Sequence, residues 1–218
     1  MNKIYVFILL TVFSCKQDAS KKNVQQDYQL PYYDNANFTP HWFESDDLKL
    51  LDFHKVAPFS FINQNGDTIT NKSFEDKVYV TDFFFTTCPG ICPKMTRSFL
   101  DLQERFKSND NVMLLSHSVT PTRDSVPVLK VFAEEYMIND SKWHLVTGDQ
   151  QEIYDMGRHS YFVEESLGLE KEEDEFLHTE NFILVDRQKF IRGIYNGLSK
   201  ASIKKLEEDI ERLLLEKQ

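Results

Sequence analysis

The sequence predicts an α/β fold in which a mixed β-sheet is covered by helices. Apolar runs with the length of buried strands alternate with segments whose apolar residues recur at helical spacing. Such alternation is typical of a largely parallel or mixed sheet with helices on both faces. The 218 residues suffice for one domain with its own core, and no internal repeat or second domain is evident.

The first half of the domain is expected to hold a hairpin, a strand and a helix. Residues 63–67 include Asn-Gly and separate two strand-like runs, at 58–62 and 68–70, which is a hairpin signature. The apolar run at 78–85 predicts a buried strand. The segment that follows it, 93–106, predicts a helix.

The second half continues the alternation of strands and helices. Polar residues suited to helix caps precede each helical segment. The expected elements are a strand at 112–119, a helix capped by Asp124 or Ser125, a strand at 143–146, a helix opened by Gly148 and Asp149, a short strand at 161–163, a hairpin of 181–185 and 190–195, and a closing helix capped by Ser199.

The charge composition argues against one large class of function. The net charge is −10, and the basic residues form no long cluster. Nucleic-acid binding relies on a basic footprint that is missing from this sequence. Nucleic acid is therefore not an expected partner, and the acidity otherwise indicates little more than solubility.

The amino terminus resembles a bacterial lipoprotein signal. Lys3 is followed by the short apolar stretch 4–13 and then by Ser14 and Cys15. The stretch is too short to span a bilayer comfortably. We expect residues 1–14 to be a signal peptide and Cys15 to bear a lipid. An ordinary secretory signal, or an uncleaved anchor with an incidental Cys15, is the alternative.

This interpretation implies an exported protein that a lipid anchor holds to a membrane, facing the periplasm or another extracytoplasmic space. Residues 15–47 are polar and are expected to form a tether, with an ordered stretch around residues 41–43 packing on the domain. The folded domain is expected to span 48–218.

Two cysteines stand where the strand at 78–85 leads into the following helix. Cys88 and Cys92 have three residues between them, which places both sulfurs one helical turn apart on one face. The positive end of a helix dipole favours thiolate. Thiolates either exchange with disulfides or bind soft metals. A dithiol after the first central strand, at a helix start, is a thioredoxin-like arrangement.

Three segments match motifs of one known family: 82–93 with its Cys-Pro-x-x-Cys-Pro element, 118–124, and 176–179 before an apolar strand. They resemble the Sco (SenC-type) family of copper-binding, thioredoxin-like proteins. The resemblance implies that Cys88, Cys92 and His178 bind copper for assembly of the dinuclear copper site of cytochrome c oxidase subunit II. Thr120 departs from the family, which usually has Asp there, and Phe176-Leu177 differs from its usual pattern.

The donor types are consistent with copper. Soft thiolates select Cu(I), whereas an imidazole also accepts Cu(II). A structural zinc site would need a fourth ligand, and the folded part contains no further cysteine. A structural disulfide between Cys88 and Cys92 would close a very short loop and would stabilise little.

The main alternative is a thiol–disulfide oxidoreductase. Thioredoxin-type enzymes usually have two residues between their cysteines and a cis-proline facing them, just before the strand that begins here near Thr179. The last proline of this chain is Pro127, and His178 stands close to that position. The sequence therefore favours a copper carrier over an enzyme, with thiol exchange as an accessory reaction.

Three other side chains have more than one interpretation. His117 lies inside an apolar strand and is expected to be a core residue with a local hydrogen-bond partner. Asp124 is interpreted as a helix cap. Asp82 interrupts a buried strand shortly before the thiols, where its carboxylate either tunes a thiol pKa or reaches solvent.

Overall fold

A seven-stranded mixed sheet forms the centre of the protein, in a computed structural model that describes residues 29–44, 46–163 and 179–216. The spatial order of the strands is β2-β1-β5-β4-β3-β6-β7. The strands are β1 Ser60–Asn63, β2 Thr68–Thr70, β3 Val78–Phe84, β4 Val112–Ser118, β5 Trp143–Thr147, β6 Asn181–Val185 and β7 Ile191–Asn196.

Within the described residues, four α-helices connect or follow these strands. Ser199 caps the last helix by accepting a hydrogen bond from the backbone N–H of Ser202, and Asp149 caps the third in the same way through Glu152. The helices are α1 Cys92–Arg105, α2 Val126–Glu135, α3 Gln150–Asp155 and α4 Lys200–Leu215.

The central strands are parallel and the outer ones antiparallel. β4 pairs in parallel with β3 on one side and with β5 on the other, whereas β6, β7, β1 and β2 join in antiparallel pairs. β3 and β4 are buried along their whole length because helices and loops cover both faces. The predicted mixed sheet flanked by helices, with a hairpin added at its amino-terminal side, is confirmed.

Two apolar cores lie on opposite faces of the sheet. One contains Val78 and Val80 of β3 together with buried residues of α1, α2 and α4. The other contains Tyr79 and Phe83 of the same strand, with residues of the hairpin and of α3. Alternate residues of β3 therefore serve different cores, as the period of two in a strand requires.

The expected strand at 161–163 is absent. A π-helical turn, Met156–Ser160, extends α3 at this point. The fully buried Tyr161 follows it, and Phe162 has a φ of 55°, which is left-handed backbone that does not continue a strand. The apolar character of 161–163 reflects packing into the core and not strand pairing.

The expected tether, 15–47, is part of the packed domain in its second half. Tyr33 pairs with Ile191 of β7, so this segment covers the edge of the sheet. Leu30 and Tyr32 are buried, at 2% and 3% exposure. The packed part of the chain therefore begins before residue 48. Apolar side chains within an otherwise polar sequence make this packing possible. The signal segment 1–14 and Cys15 lie outside the described residues.

Within the described ranges, the helices are all too short or too polar to cross a membrane.

Candidate metal centre

The two predicted thiols come together at the carboxyl-terminal end of β3. A loop of residues 85–91 connects β3 to α1, which begins at Cys92 itself. Both thiols are free, Cys88 is half-buried and Cys92 is buried. The loop thus presents one sulfur towards solvent and holds the other against the core.

The Cys88 sulfur lies among several hydrogen-bond donors. Burial acts to raise the pKa of its thiol. The Cys92 thiol and the backbone N–H of Cys92 donate to this sulfur, and so do the backbone N–H groups of Gly90 and Ile91. These donors outweigh burial, and the pKa of Cys88 falls below its usual 9.0.

Cys92 behaves in the opposite way. Burial, reinforced by its hydrogen bond to the Cys88 sulfur, raises the pKa of Cys92 from 9.0 to about 12, although the backbone N–H of Phe85 opposes the shift. The sequence suggested that a helix dipole would favour thiolate at both positions, but the pKa is lowered at Cys88 alone, through hydrogen bonds from the Cys92 thiol and from backbone N–H groups. The pair therefore combines a half-buried thiol of lowered pKa with a buried thiol that donates a hydrogen bond to it.

Asp82 is buried beneath this pair, at 2% exposure, on the same strand. Its Oδ1 has no hydrogen-bond partner among the described residues, and burial raises its pKa from 3.8 to about 7, partly opposed by a hydrogen bond from Ser116. Ser116 in turn accepts from the indole N–H of Trp143 at 2.9 Å. A charge on Asp82 adds to the raised pKa of Cys92. Of the two sequence interpretations, access to solvent is wrong.

Asp124 connects the cysteine loop to the loop that follows β4. It is fully buried, and it accepts hydrogen bonds from the Thr86 hydroxyl at 2.6 Å and from the Thr86 backbone N–H at 3.2 Å. The hydroxyls of Ser118 and Thr120 also donate to it, at 2.5 and 3.1 Å. The interpretation as a helix cap is wrong, since Ser125 holds that position.

Thr120 acquires a physical role in this network. Its hydroxyl donates to a carboxylate, which another carboxylate at the same position could not do when ionised. Thr120, which stands where the Sco pattern usually has Asp, thus suits its neighbouring acceptor, the carboxylate of Asp124. Sequence alone gave no signal for this pairing, because the partners belong to two different loops.

The third predicted ligand, His178, lies outside the described residues. β6, which begins three residues later at Asn181, runs antiparallel to β3, with Ile183 opposite Thr81. β6 therefore starts at the end of the sheet where β3 leads into the cysteine loop. Within the described part of the chain, no three His, Cys, Asp or Glu side chains are grouped closely enough to hold a metal ion.

His117 is a core residue, as the sequence predicted. It is fully buried and stacks on Phe83, with ring centroids 4.8 Å apart. Its Nδ1 lies 3.1 Å from the Thr81 hydroxyl, and burial lowers its pKa from 6.5 to about 3. A neutral histidine on the face of the sheet opposite Asp82 is part of the packing.

A comparison with known families decides what kind of protein this is. The protein-family model described as SCO1/SenC matches residues 49–215, which is most of the chain and includes the whole dithiol loop. The chain belongs to the SCO1/SenC family. The SCO1 protein homolog of Bacillus subtilis is 33% identical over 162 residues, covering 72% of this chain and 82% of that protein.

Solved structures of Sco proteins share the fold. A structure of BsSco, described as having a disulfide switch and as a member of the Sco family of cytochrome c oxidase assembly proteins, is 32% identical with a TM-score of 0.64, covering 75% of this chain and 95% of that one. A copper-bound structure of Arabidopsis thaliana ScoI is 25% identical with a TM-score of 0.57, covering 73% and 98%. The fold is therefore thioredoxin-like, as in other SCO1/SenC proteins.

Proposed function

We propose that this protein is a copper carrier in which Cys88, Cys92 and His178 bind one copper ion and pass it to an exported copper enzyme. The observation that supports this most directly is the dithiol at the end of β3, beside the point where β6 begins just after His178. Two thiolates and one imidazole suit three-coordinate Cu(I) and leave an open side for transfer.

The protonation of the two thiols bears on metal uptake. Because the pKa of Cys92 is raised to about 12, this thiol keeps its proton at neutral pH in the metal-free protein. Binding of copper by both sulfurs must displace that proton. Metal affinity is therefore expected to increase with pH across the neutral range.

The recipient that we propose is a copper-dependent oxidase subunit, with the dinuclear copper site of cytochrome c oxidase subunit II as the specific target. This follows from family membership and from the description of BsSco as an assembly protein of that oxidase. We further propose that Cys15 bears a lipid which holds the domain to a membrane on its extracytoplasmic side. Residues 29–44, packed on the edge of the sheet, would then fix where the anchor segment leaves the domain.

Oxidation would switch the site off. Forming a Cys88–Cys92 disulfide removes two protons and two electrons from the dithiol, which pass to an external thiol oxidant, and it abolishes both thiolate ligands. Copper would then be released or could not be bound.

The second candidate is a thiol–disulfide oxidoreductase that reduces the cysteines of the same partner. The unequal thiols favour it, because a more accessible thiol of lowered pKa beside a buried thiol suits attack by Cys88 and resolution by Cys92. The lack of any proline after Pro127 disfavours it, since His178 stands near the place of the substrate-binding proline.

A copper titration followed by absorption spectroscopy tests the proposal. A Cu(II)–thiolate charge-transfer band should grow to one copper per protein and should be absent in Cys88→Ala. His178→Ala should weaken binding. Copper affinity unchanged in His178→Ala would remove the imidazole from the site, and brisk insulin reduction without copper uptake would favour the oxidoreductase.

A further inference from the structure

A basic groove lies between α1 and α4. Its volume is about 650 Å³. The whole chain has a net charge of −10, yet cations outnumber carboxylates two to one in this groove. The exposed cations are Lys94, Arg97, Lys200 and Lys204, and the carboxylates are Asp101 and Glu207.

The charges of these cations are not neutralised by direct pairing. None of the four forms an ion pair within 4.0 Å with a residue in the ranges that the structure describes. By contrast, Arg105 at the far end of α1 is paired with Glu211. Lys94 and Lys200 stand in the first turns of α1 and α4, where the helix dipoles add positive potential. The groove therefore has a field opposite in sign to the net charge of the chain.

An exposed leucine and two close contacts shape the groove. Leu198 is 41% exposed at its rim, so an apolar side chain is surrounded by cations. The Ser98 hydroxyl donates to the backbone carbonyl of Gly197 at 2.8 Å and joins the two walls. A Cβ on Gly197 would lie 2.6 Å from Phe182, so this close approach fixes the loop before α4. The loop that forms this end of the groove is thus held in place by packing and by one hydrogen bond.

The groove lies at the same end of the sheet as the copper site. Lys94 follows Cys92 by two residues on α1. On the other wall, the backbone N–H of Gly197 donates to the carbonyl of Glu180, just before β6 begins. A protein held in the groove would consequently lie near the end of the sheet that carries the cysteine loop.

We propose that the groove between α1 and α4 docks an acidic surface of the protein that receives the copper, and orients that protein against Cys88 and Cys92. This inference rests on the proposed function. An acidic partner and this acidic chain repel each other overall. The basic groove therefore favours the one orientation in which it faces the acidic surface of the partner. Complementary charge acts mainly on the association rate and falls with ionic strength.

Charge reversal away from the ligands tests this docking surface. The variant Arg97→Glu/Lys204→Glu is compared with Lys49→Glu/Lys72→Glu, which makes the same charge change at exposed residues outside the groove. The probe is the copper-free soluble domain of cytochrome c oxidase subunit II from the same organism, mixed with the copper-loaded full chain. We expect the association rate constant to fall about tenfold or more in the groove variant at about 20 mM salt, and to converge with the unchanged protein at about 500 mM. The control variant should change it less than twofold at both salt concentrations.

Measuring copper loading distinguishes failure of the proposed copper-carrier function from failure of the proposed docking groove. All these variants should bind copper as the unchanged protein does. Failure of the unchanged protein to bind copper would overturn the proposed function. Normal loading with equal association rates in the groove and control variants would overturn the docking surface alone. Arg97→Gln/Lys204→Gln should give an intermediate effect. If the groove variant lost only binding to anionic phospholipid vesicles, with the oxidase domain unaffected, a membrane surface would be the occupant and the proposal would be wrong.

Discussion

At the scale of single residues, the chemistry depends on two thiols that differ although they belong to one motif. The difference arises because the backbone of the loop presents N–H groups to Cys88, whereas Cys92 begins the helix and is directed into the core. The spacing predicted that both sulfurs lie on one helical face, but Cys88 lies in the loop before the helix, and spacing could not predict which thiol has the lowered pKa.

The first prediction concerns this difference. At neutral pH, iodoacetamide should modify Cys88 much faster than Cys92, because Cys88 is more exposed and its pKa is lowered while that of Cys92 is raised. In Cys92→Ala, Cys88 loses a donor, so its thiolate absorbance should titrate at higher pH than in the unchanged protein. Peptide mapping by mass spectrometry gives the rates. Equal modification of both cysteines would contradict the assignment.

The second prediction concerns the buried carboxyl of Asp82. Its pKa is about 7 in the folded protein and close to 3.8 in the unfolded chain, so the folded state binds the extra proton between these values. Stability should therefore fall as pH rises from about 4 to about 7 and then level off. Asp82→Asn should raise the free energy of unfolding by about 2–4 kcal/mol above pH 7 and change it little below pH 4.

Urea unfolding of the reduced, metal-free protein at several pH values provides the measurement. The exposed Asp52→Asn serves as control and should keep the pH dependence of the unchanged protein, because Asp82 is still present. If the free energy of unfolding of Asp82→Asn depended on pH as strongly as that of the unchanged protein, another group would be responsible for the pH dependence.

At the scale of elements, the arrangement of the site depends on loops that are distant in sequence and joined by a buried carboxylate. Asp124 accepts from both the hydroxyl and the backbone N–H of Thr86, two residues before Cys88. The cysteine loop is thereby fixed to the loop that follows β4. The loop is thus held by contacts that do not involve the two sulfurs.

The third prediction follows from this network. Asp124→Ala leaves several buried donors without an acceptor and should lower the free energy of unfolding by about 3 kcal/mol. Asp149→Ala removes an ordinary helix cap and should cost about 1 kcal/mol. Hydrogen exchange at the Thr86 amide should accelerate in the first variant only. A similar decrease in the free energy of unfolding in both variants would indicate that Asp124 contributes no more than an ordinary helix cap.

The sequence predicted those elements whose signal is local. The buried strands β3 and β4 are continuous apolar runs, and the Asn-Gly turn set the register of the first hairpin, where Gly66 has a φ of 84°. The order of strands and the contacts of Asp124 are not local, and no period in the sequence encodes them. The dithiol was found because both of its members lie in one motif.

At the scale of the whole molecule, the amino-terminal segment and the end of α4 are held by one buried arginine. Arg192 of β7 is 2% exposed and lies over the Tyr32 ring at 4.0 Å. It donates to the backbone carbonyls of Leu30 and Pro31 and forms ion pairs with Asp186 and Glu216. The polar composition of 15–47 did not indicate this packing. The segment has few apolar residues, and they are buried against a charged side chain.

The fourth prediction follows from these contacts. A fragment of residues 29–218 should be as stable as the full chain, whereas a fragment of residues 48–218 should lose about 4 kcal/mol, since Leu30 and Tyr32 no longer cover Arg192. Denaturant unfolding of the reduced fragments measures the difference. Equal stability of the two fragments would mean that residues 29–47 behave as the simple tether that their composition suggested.

X-ray absorption of the Cu(I)-loaded protein examines the proposed binding of one copper ion by Cys88, Cys92 and His178 together. We expect two sulfur ligands and one nitrogen ligand in the unchanged protein, and two sulfur ligands without that nitrogen in His178→Ala. Identical copper environments in the two proteins, or a copper bound by fewer than two sulfurs, would contradict it.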